Sequence, residues 1–272
     1  IKEIKENGIV KIENFLNYKN TSQFSKMVKF YSVPKGDPKS YFPTNYKKTF
    51  FKILTLNLPK FLYSMNILKI AQNKNLANLT EKYFDSKTEL SFVDAYYSKV
   101  SNLEILPWHT DQAYSGKSNV YEFNNPNSFY LKIFIYLTEV GHDDGCMSYI
   151  PKSHKIGYAI RKSIFEKKIN YQPYWSIQDF KKIIIDNKDY FEKYFEGSFI
   201  LSDFLKKVKD LEALKKSKTY SYEAKAGTAV IFDEGGILFA HGFDGLRKKY
   251  YVREFEKQNS KFVAEKFIIV TR

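Results

Sequence analysis

Gly227-Thr228-Ala229-Val230-Ile231-Phe232-Asp233 is followed, after Glu234-Gly235-Gly236-Ile237, by Leu238-Phe239-Ala240-His241. Each is a short β-branched or aromatic run, and glycines separate the two. Runs of this kind, bounded by turn residues, read as strands. The same texture recurs at 90–100, 129–138, 147–150, 218–223, 250–255 and 262–270. The chain before these runs reads differently. Residues 1–30 read as a helix start, a strand at 8–12 and a helix opened near Asn20-Thr21. Pro34, Gly36, Pro38 and Pro43 make 31–57 an irregular loop, and Phe61, Met65 and Leu68 place apolar side chains on one face of a helix within 58–86. Strands in number after a helical opening predict an α+β chain with a jelly-roll core, one domain over 1–272. A lysine-rich helical block at about 160–215 interrupts the strands. It reads as an insertion between two core strands that caps one mouth of the roll.

Composition narrows the function. The chain has 272 residues, is 43% apolar and carries a net charge of +14. That is a globular composition with ample length for a core. Nearly all the positive charge is lysine, with arginine only at Arg161, Arg247, Arg253 and Arg272. Nucleic-acid binders lean on the planar fork of arginine, so the basic balance reads as a solvated surface that favours anionic partners. Cys146 is the single cysteine, which rules out an intramolecular disulfide and any Cys-based zinc site. It reads as a small buried apolar residue. No apolar stretch is long enough to span a bilayer, and the charged opening Ile1-Lys2-Glu3-Ile4-Lys5-Glu6 does not read as a signal peptide. A cytoplasmic location is expected. There is no phosphate-cradling Gly-x4-Gly-Lys-Ser/Thr, no His-Glu-x2-His and no Gly-x-Ser-x-Gly.

The chemistry concentrates at Pro107-Trp108-His109-Thr110-Asp111. In a strand, side chains two apart share a face, so His109 and Asp111 can reach one cation from one side. Imidazole plus carboxylate suits Fe(II), and a second imidazole completes a facial triad with open positions opposite. The other histidines are His142, His154 and His241. His142 and His154 sit in polar turns, where His154 reads as fixing a loop. His241 ends an apolar run and is the one placed like an interior ligand. Arg253 lies in the aromatic run Tyr250-Tyr251-Val252-Arg253-Glu254-Phe255. It either faces solvent beside Glu254 or Glu256, or faces the interior, where it needs an anion. A dicarboxylic co-substrate would provide one, gripped bidentately.

Several stretches, in order, resemble the phytanoyl-CoA dioxygenase family. They are 7–16 (Asn-Gly-Ile-Val-Lys-Ile-Glu-Asn-Phe-Leu), 97–111, Tyr136-Leu137-Thr138-Glu139, 144–155 (Asp-Gly-Cys-Met-Ser-Tyr-Ile-Pro-Lys-Ser-His-Lys), 227–233 and His241-Gly242. The resemblance implies a double-stranded β-helix (jelly-roll) core with flanking N-terminal helices and a helical insertion. It implies an Fe(II)- and 2-oxoglutarate-dependent dioxygenase that uses dioxygen to hydroxylate a C–H bond. Iron would sit at His109, Asp111 and His241, and 2-oxoglutarate at Arg253. The chain departs from the family pattern at Phe243, where a Ser usually follows His-Gly, and at Asp144, where Asn is usual. Arg247, in a turn, competes with Arg253 for the co-substrate.

Lys99 is a further candidate for cofactor binding, and Tyr97 and Lys132 are candidates to line the pocket. Tyr171, Tyr174 and Trp175 are possible substrate contacts from the helical block, while Trp108 reads as packing. The expected partner is a small-molecule substrate, anionic or carrier-bound, with no nucleic acid and no membrane span. The alternative is a non-catalytic or differently metallated β-roll binding protein.

Overall fold

The computed structural model of the chain describes residues 1–31, 34–35, 65, 69–70, 74–88, 90–99, 106–110, 130–141, 146–170, 176–197, 199–213, 220–240 and 262–271. Ten strands and seven helices can be followed among them. The chain opens with α1 (Lys2–Asn7), β1 (Ile9–Ile12), α2 (Tyr18–Tyr31), β2 (Pro34–Lys35) and α3 (Lys74–Phe84). Next come β3 (Leu90–Lys99), β4 (Leu106–His109), β5 (Leu131–Tyr136) and β6 (Met147–Tyr149). Four helices follow, α4 (Ser153–Phe165), α5 (Ile177–Asp186), α6 (Lys188–Tyr194) and α7 (Phe199–Ala213). The chain then returns to strands with β7 (Ser221–Tyr222), β8 (Ala229–Asp233), β9 (Leu238–Ala240) and β10 (Phe262–Thr271).

The strands form two sheets, one in the order β1-β8-β5-β10-β3-β2 and one in the order β4-β9-β6-β7. Every pairing is antiparallel except that of β2 with β3. The side-chain period of two explains how the larger sheet is buried on both faces. Along β5, Leu131, Ile133 and Ile135 join a cluster with Phe24 of α2 and Leu76 of α3. The alternate residues Phe134 and Tyr136 point the other way, into a cluster with Met147, Tyr149 and Leu238 of the smaller sheet. β8 divides likewise, with Ala229 and Ile231 toward the helices and Val230 and Phe232 between the sheets. Phe134 and Phe232 meet edge to face there, with ring centroids 5.0 Å apart.

A third cluster belongs to the helices after β6. Ile156, Ile160 and Ile164 of α4 pack with Phe180, Phe191, Phe204 and Val208 of the following helices. This core also takes in Ile150 and Ile237, and Trp108 packs against it. The helical block is thereby fastened to the smaller sheet.

Several expectations shift in detail. The helical block begins at Ser153, not near 160. His154 therefore lies in the first turn of α4 and not in a free turn. Met65 is exposed, whereas its spacing with Phe61 and Leu68 suggested a buried face. Phe61 and Leu68 lie outside the described residues. β7 is shorter than the 218–223 run, and the proline-rich 31–57 segment contains β2. The run at 250–255 lies outside the described residues.

Candidate metal centre

β4 ends at His109, and the imidazole is 0% exposed. Trp108, its neighbour, packs against the helical core, so by strand alternation His109 leaves the opposite face of β4. His109 is paired with Leu238 of β9, and Leu106 with Ala240, across an irregular register. β9 runs directly on in sequence to His241. The strand that ends in His109 and the strand that precedes His241 are thus hydrogen-bonded neighbours. Asp111, His241, Arg247 and Arg253 lie outside the described residues, as do His142, Tyr171, Tyr174 and Trp175. Lys99 and Tyr97 are placed by backbone only, on β3. Among the described residues no group of three His, Cys, Asp or Glu side chains gathers at one point.

The surroundings of His109 are polar and tightly held. Thr110 is buried, and its hydroxyl donates to the carbonyl of Glu234 at 2.9 Å. The carboxylate of Glu234 pairs with Lys132 of β5 at 3.0 Å, both side chains being largely buried. Lys132 lies between Leu131 and Ile133, so alternation turns it toward the space between the sheets.

Behind Glu234 lies a residue that the sequence did not single out. Asp233 closes β8 and is 0% exposed. Its carboxylate accepts from Tyr83 of α3 at 2.6 Å, from Tyr158 of α4, and from the backbone N–H of Gly235 at 2.8 Å. Its carbonyl accepts from the Tyr149 hydroxyl at 3.1 Å. Burial, and then the charge of Asp233, push the Tyr83 and Tyr158 hydroxyls far above the ordinary phenol range. Both remain protonated donors. The nearby His154 donates through its Nε2–H to the Lys5 carbonyl, 3.3 Å away. Burial pushes its imidazole below the usual histidine value, opposed by Asp233, so it is neutral near pH 7. That agrees with a positional role for His154, although it pins α4 to α1 and not a loop. Cys146 is buried among apolar side chains, as expected.

The helical block reaches β4 through Ser176, whose backbone bridges His109. Ser176 also caps α5. Its hydroxyl accepts from the Asp179 N–H at 3.2 Å, and the Asp179 carboxylate accepts from the Ser176 N–H at 2.8 Å. Such reciprocal capping satisfies two helix-end donors. Ser176→Ala is expected to cost about 1 kcal/mol. A thermal melt should record this as a fall of about 2–4 °C, and an unchanged melting temperature would remove the cap from the account.

Comparison with known proteins places these observations. The profile of the family described as Phytanoyl-CoA dioxygenase (PhyH) matches residues 4–235. No curated protein sequence matches the chain. Among solved structures, HygX from Streptomyces hygroscopicus with iron bound aligns with a TM-score of 0.50 at 10% identity, covering 99% of this chain and 84% of that one. The epimerase SnoN in complex with Fe3+, alpha ketoglutarate and nogalamycin RO aligns at 0.49 and 10% identity, covering 99% and 80%. EvdO2 from Micromonospora carbonacea var. aurantiaca, complexed with 2-oxoglutarate, aligns at 0.47 and 13% identity, covering 99% and 88%. At such identities the likeness to HygX speaks to fold alone.

Proposed function

Because the chain belongs to the phytanoyl-CoA dioxygenase family, whose members use Fe(II), 2-oxoglutarate and dioxygen, we propose that it hydroxylates a C–H bond of a small-molecule or carrier-bound substrate. His109, Asp111 and His241 would hold the iron. The observation that carries this reading is the fully buried His109 at the end of β4, hydrogen-bonded neighbour to the strand that leads into His241. Two imidazoles and a carboxylate are the donor set that Fe(II) takes while keeping positions open. When bound with 2-oxoglutarate, the iron would supply the oxidising power: one oxygen atom of dioxygen enters the substrate, the other enters succinate, and carbon dioxide leaves.

The fold supports the same reading. From β3 onward the chain passes back and forth between the sheets, staying in one only from β6 to β7, with β3, β5, β8 and β10 in one sheet and β4, β6, β7 and β9 in the other. The orders β3-β10-β5-β8 and β4-β9-β6-β7, in two facing antiparallel sheets, support a jelly-roll reading. We assign the chain as a single domain of that kind, with the helices between β6 and β7 as its insertion. No helix among the described residues is long and apolar enough to cross a membrane, and a cytoplasmic location is part of the proposal.

The protein's own residues orient and enclose. Arg253 is assigned to the distal carboxylate of 2-oxoglutarate, which its planar fork can grip bidentately, with Lys99 as a second cation for the co-substrate. Lys132 and Glu234 form a closed ion pair beside Thr110, and that pair would border the substrate space. A cation-rich chain suits an anionic or carrier-bound substrate.

The test is a turnover assay with carboxyl-labelled 2-oxoglutarate and isotopically labelled dioxygen. Iron-loaded protein should release labelled carbon dioxide slowly alone and at least about tenfold faster with a true substrate, a gap of ~1.4 kcal/mol in barrier. The product alcohol should carry oxygen from dioxygen. Binding of metal and co-substrate with no carbon dioxide release under any condition would favour the binding-protein alternative.

A further inference from the structure

We propose that Asp233 is a positioning residue for the metal centre. Its buried carboxylate, clamped by Tyr83 and Tyr158, fixes the turn between β8 and β9 and so sets how β9 lies against His109. The proposal rests on the assignment of His109, Asp111 and His241 as iron ligands.

A buried carboxylate is costly unless its oxygens are satisfied. At Asp233 the whole residue is engaged. One carboxylate oxygen takes both tyrosine hydroxyls, and the other takes the Gly235 N–H. The Asp233 N–H donates to the Gly8 carbonyl at 2.8 Å, and the Asp233 carbonyl accepts from Tyr149 and from the Gly236 N–H, each at 3.1 Å. Four separate parts of the chain, α3, α4, β6 and the corner between α1 and β1, therefore converge on one residue.

From Asp233 the constraint passes to the metal strands by two short routes. On one, the next residue, Glu234, accepts through its carbonyl from Thr110, which directly follows His109. On the other, the turn runs to Ile237. The Ile237 N–H donates to the Ser153 hydroxyl at 2.7 Å, and its carbonyl accepts from the Ile150 N–H at 3.0 Å. β9 then starts at Leu238, opposite His109. A carboxylate fits this post where an amide does not. Asparagine could accept from the two tyrosines only by turning its NH2 toward the Gly235 N–H, donor against donor.

The experiment measures metal affinity by anaerobic competition of Mn(II) against a chelating dye, on the wild-type chain, Asp233→Asn and Phe191→Leu. Phe191 is buried in the helical block, so its variant supplies a loss of melting temperature while every hydrogen bond that holds the turn stays in place. Asp233→Asn is expected to raise the metal dissociation constant about 10–100-fold, as loss of an outer hydrogen-bonding partner does. Phe191→Leu should leave that constant unchanged. Equal affinity in the wild type and Asp233→Asn, or a parallel loss in both variants, would overturn the proposal. Should Asp233→Asn not fold, Tyr83→Phe and Tyr158→Phe each remove one hydroxyl and should each weaken metal binding several-fold, and unchanged affinity in both would overturn it equally. His109→Ala in the same titration separates the two layers. If it binds metal as the wild type does, the iron assignment itself falls and takes this proposal with it. If it loses metal while Asp233→Asn does not, only the positioning role falls.

Discussion

Replacing His109 with alanine is expected to remove Fe(II) binding and 2-oxoglutarate turnover while the chain stays folded. The imidazole is fully buried at the end of β4, and on the present assignment it supplies one of three protein bonds to the metal. Loss of even an outer partner of a ligand weakens metal binding by about 10–100-fold, so loss of the ligand itself should exceed about 100-fold. Carbon dioxide release should fall to the level of protein without iron. The substitution also leaves a cavity, which should cost about 2–4 kcal/mol by analogy with other large-to-small changes. Circular dichroism should therefore remain that of a folded chain, with a lower melting temperature. Asp111→Ala should match it in activity, because its carboxylate serves the same ion. Wild-type carbon dioxide release from either variant would count against the triad.

Gly157→Ala should be among the most destabilising small substitutions in the chain. Gly157 lies on α4, where a methyl group would overlap the carbonyl oxygen of Gly235, a backbone atom with no freedom to swing aside. Alanine favours the helix by up to ~1 kcal/mol over glycine. The overlap works against that gain, since overpacking typically costs about 1–3 kcal/mol and more where backbone must move. A net loss of about 2 kcal/mol or more is expected, seen as a fall of about 4 °C or more in melting temperature. The displacement would also draw Tyr158 away from Asp233. A variant that melts at or above the wild-type temperature would show that α4 does not rest on the β8–β9 turn.

Gly157 also illustrates what the sequence concealed. The strands were legible because β-branched and aromatic runs in a two-sided core are apolar on both faces, as in 131–137 and 229–233. The last strand, at 262–271, was found for the same reason. The start of α4 was not found. Lys152 occupies the position before its first turn in a left-handed conformation (φ 71°) and makes no side-chain cap, so Pro151-Lys152-Ser153-His154 carries the marks of a turn. The apolar face of α3 was not found either: Leu76, Leu79 and Tyr83 supply it, whereas Met65, on which the reading of 58–86 leaned, lies before α3 and is exposed.

For the site, His109 stood out because a histidine two before an aspartate on a strand offers both side chains to one cation, with His241 downstream as a possible third ligand. Asp233, Tyr83 and Tyr158 carried no such signal. They lie 75 residues or more from their partner, and only the packing of α3 against the larger sheet and of α4 against the β8–β9 turn brings them together. Their roles depend on tertiary contact, which periodicity does not encode. Ser176 was overlooked for a related reason, since its bridge to His109 joins a helix cap to a distant strand.

Anomalous scattering at the iron edge, from crystals grown without oxygen in Fe(II) and 2-oxoglutarate, would locate the metal directly. The account predicts one iron atom per chain, bonded at about 2.0–2.2 Å to the side chains at 109, 111 and 241, the range found for nitrogen and oxygen ligands of comparable divalent ions. An iron peak elsewhere, or one of those three side chains turned away from it, would contradict the account.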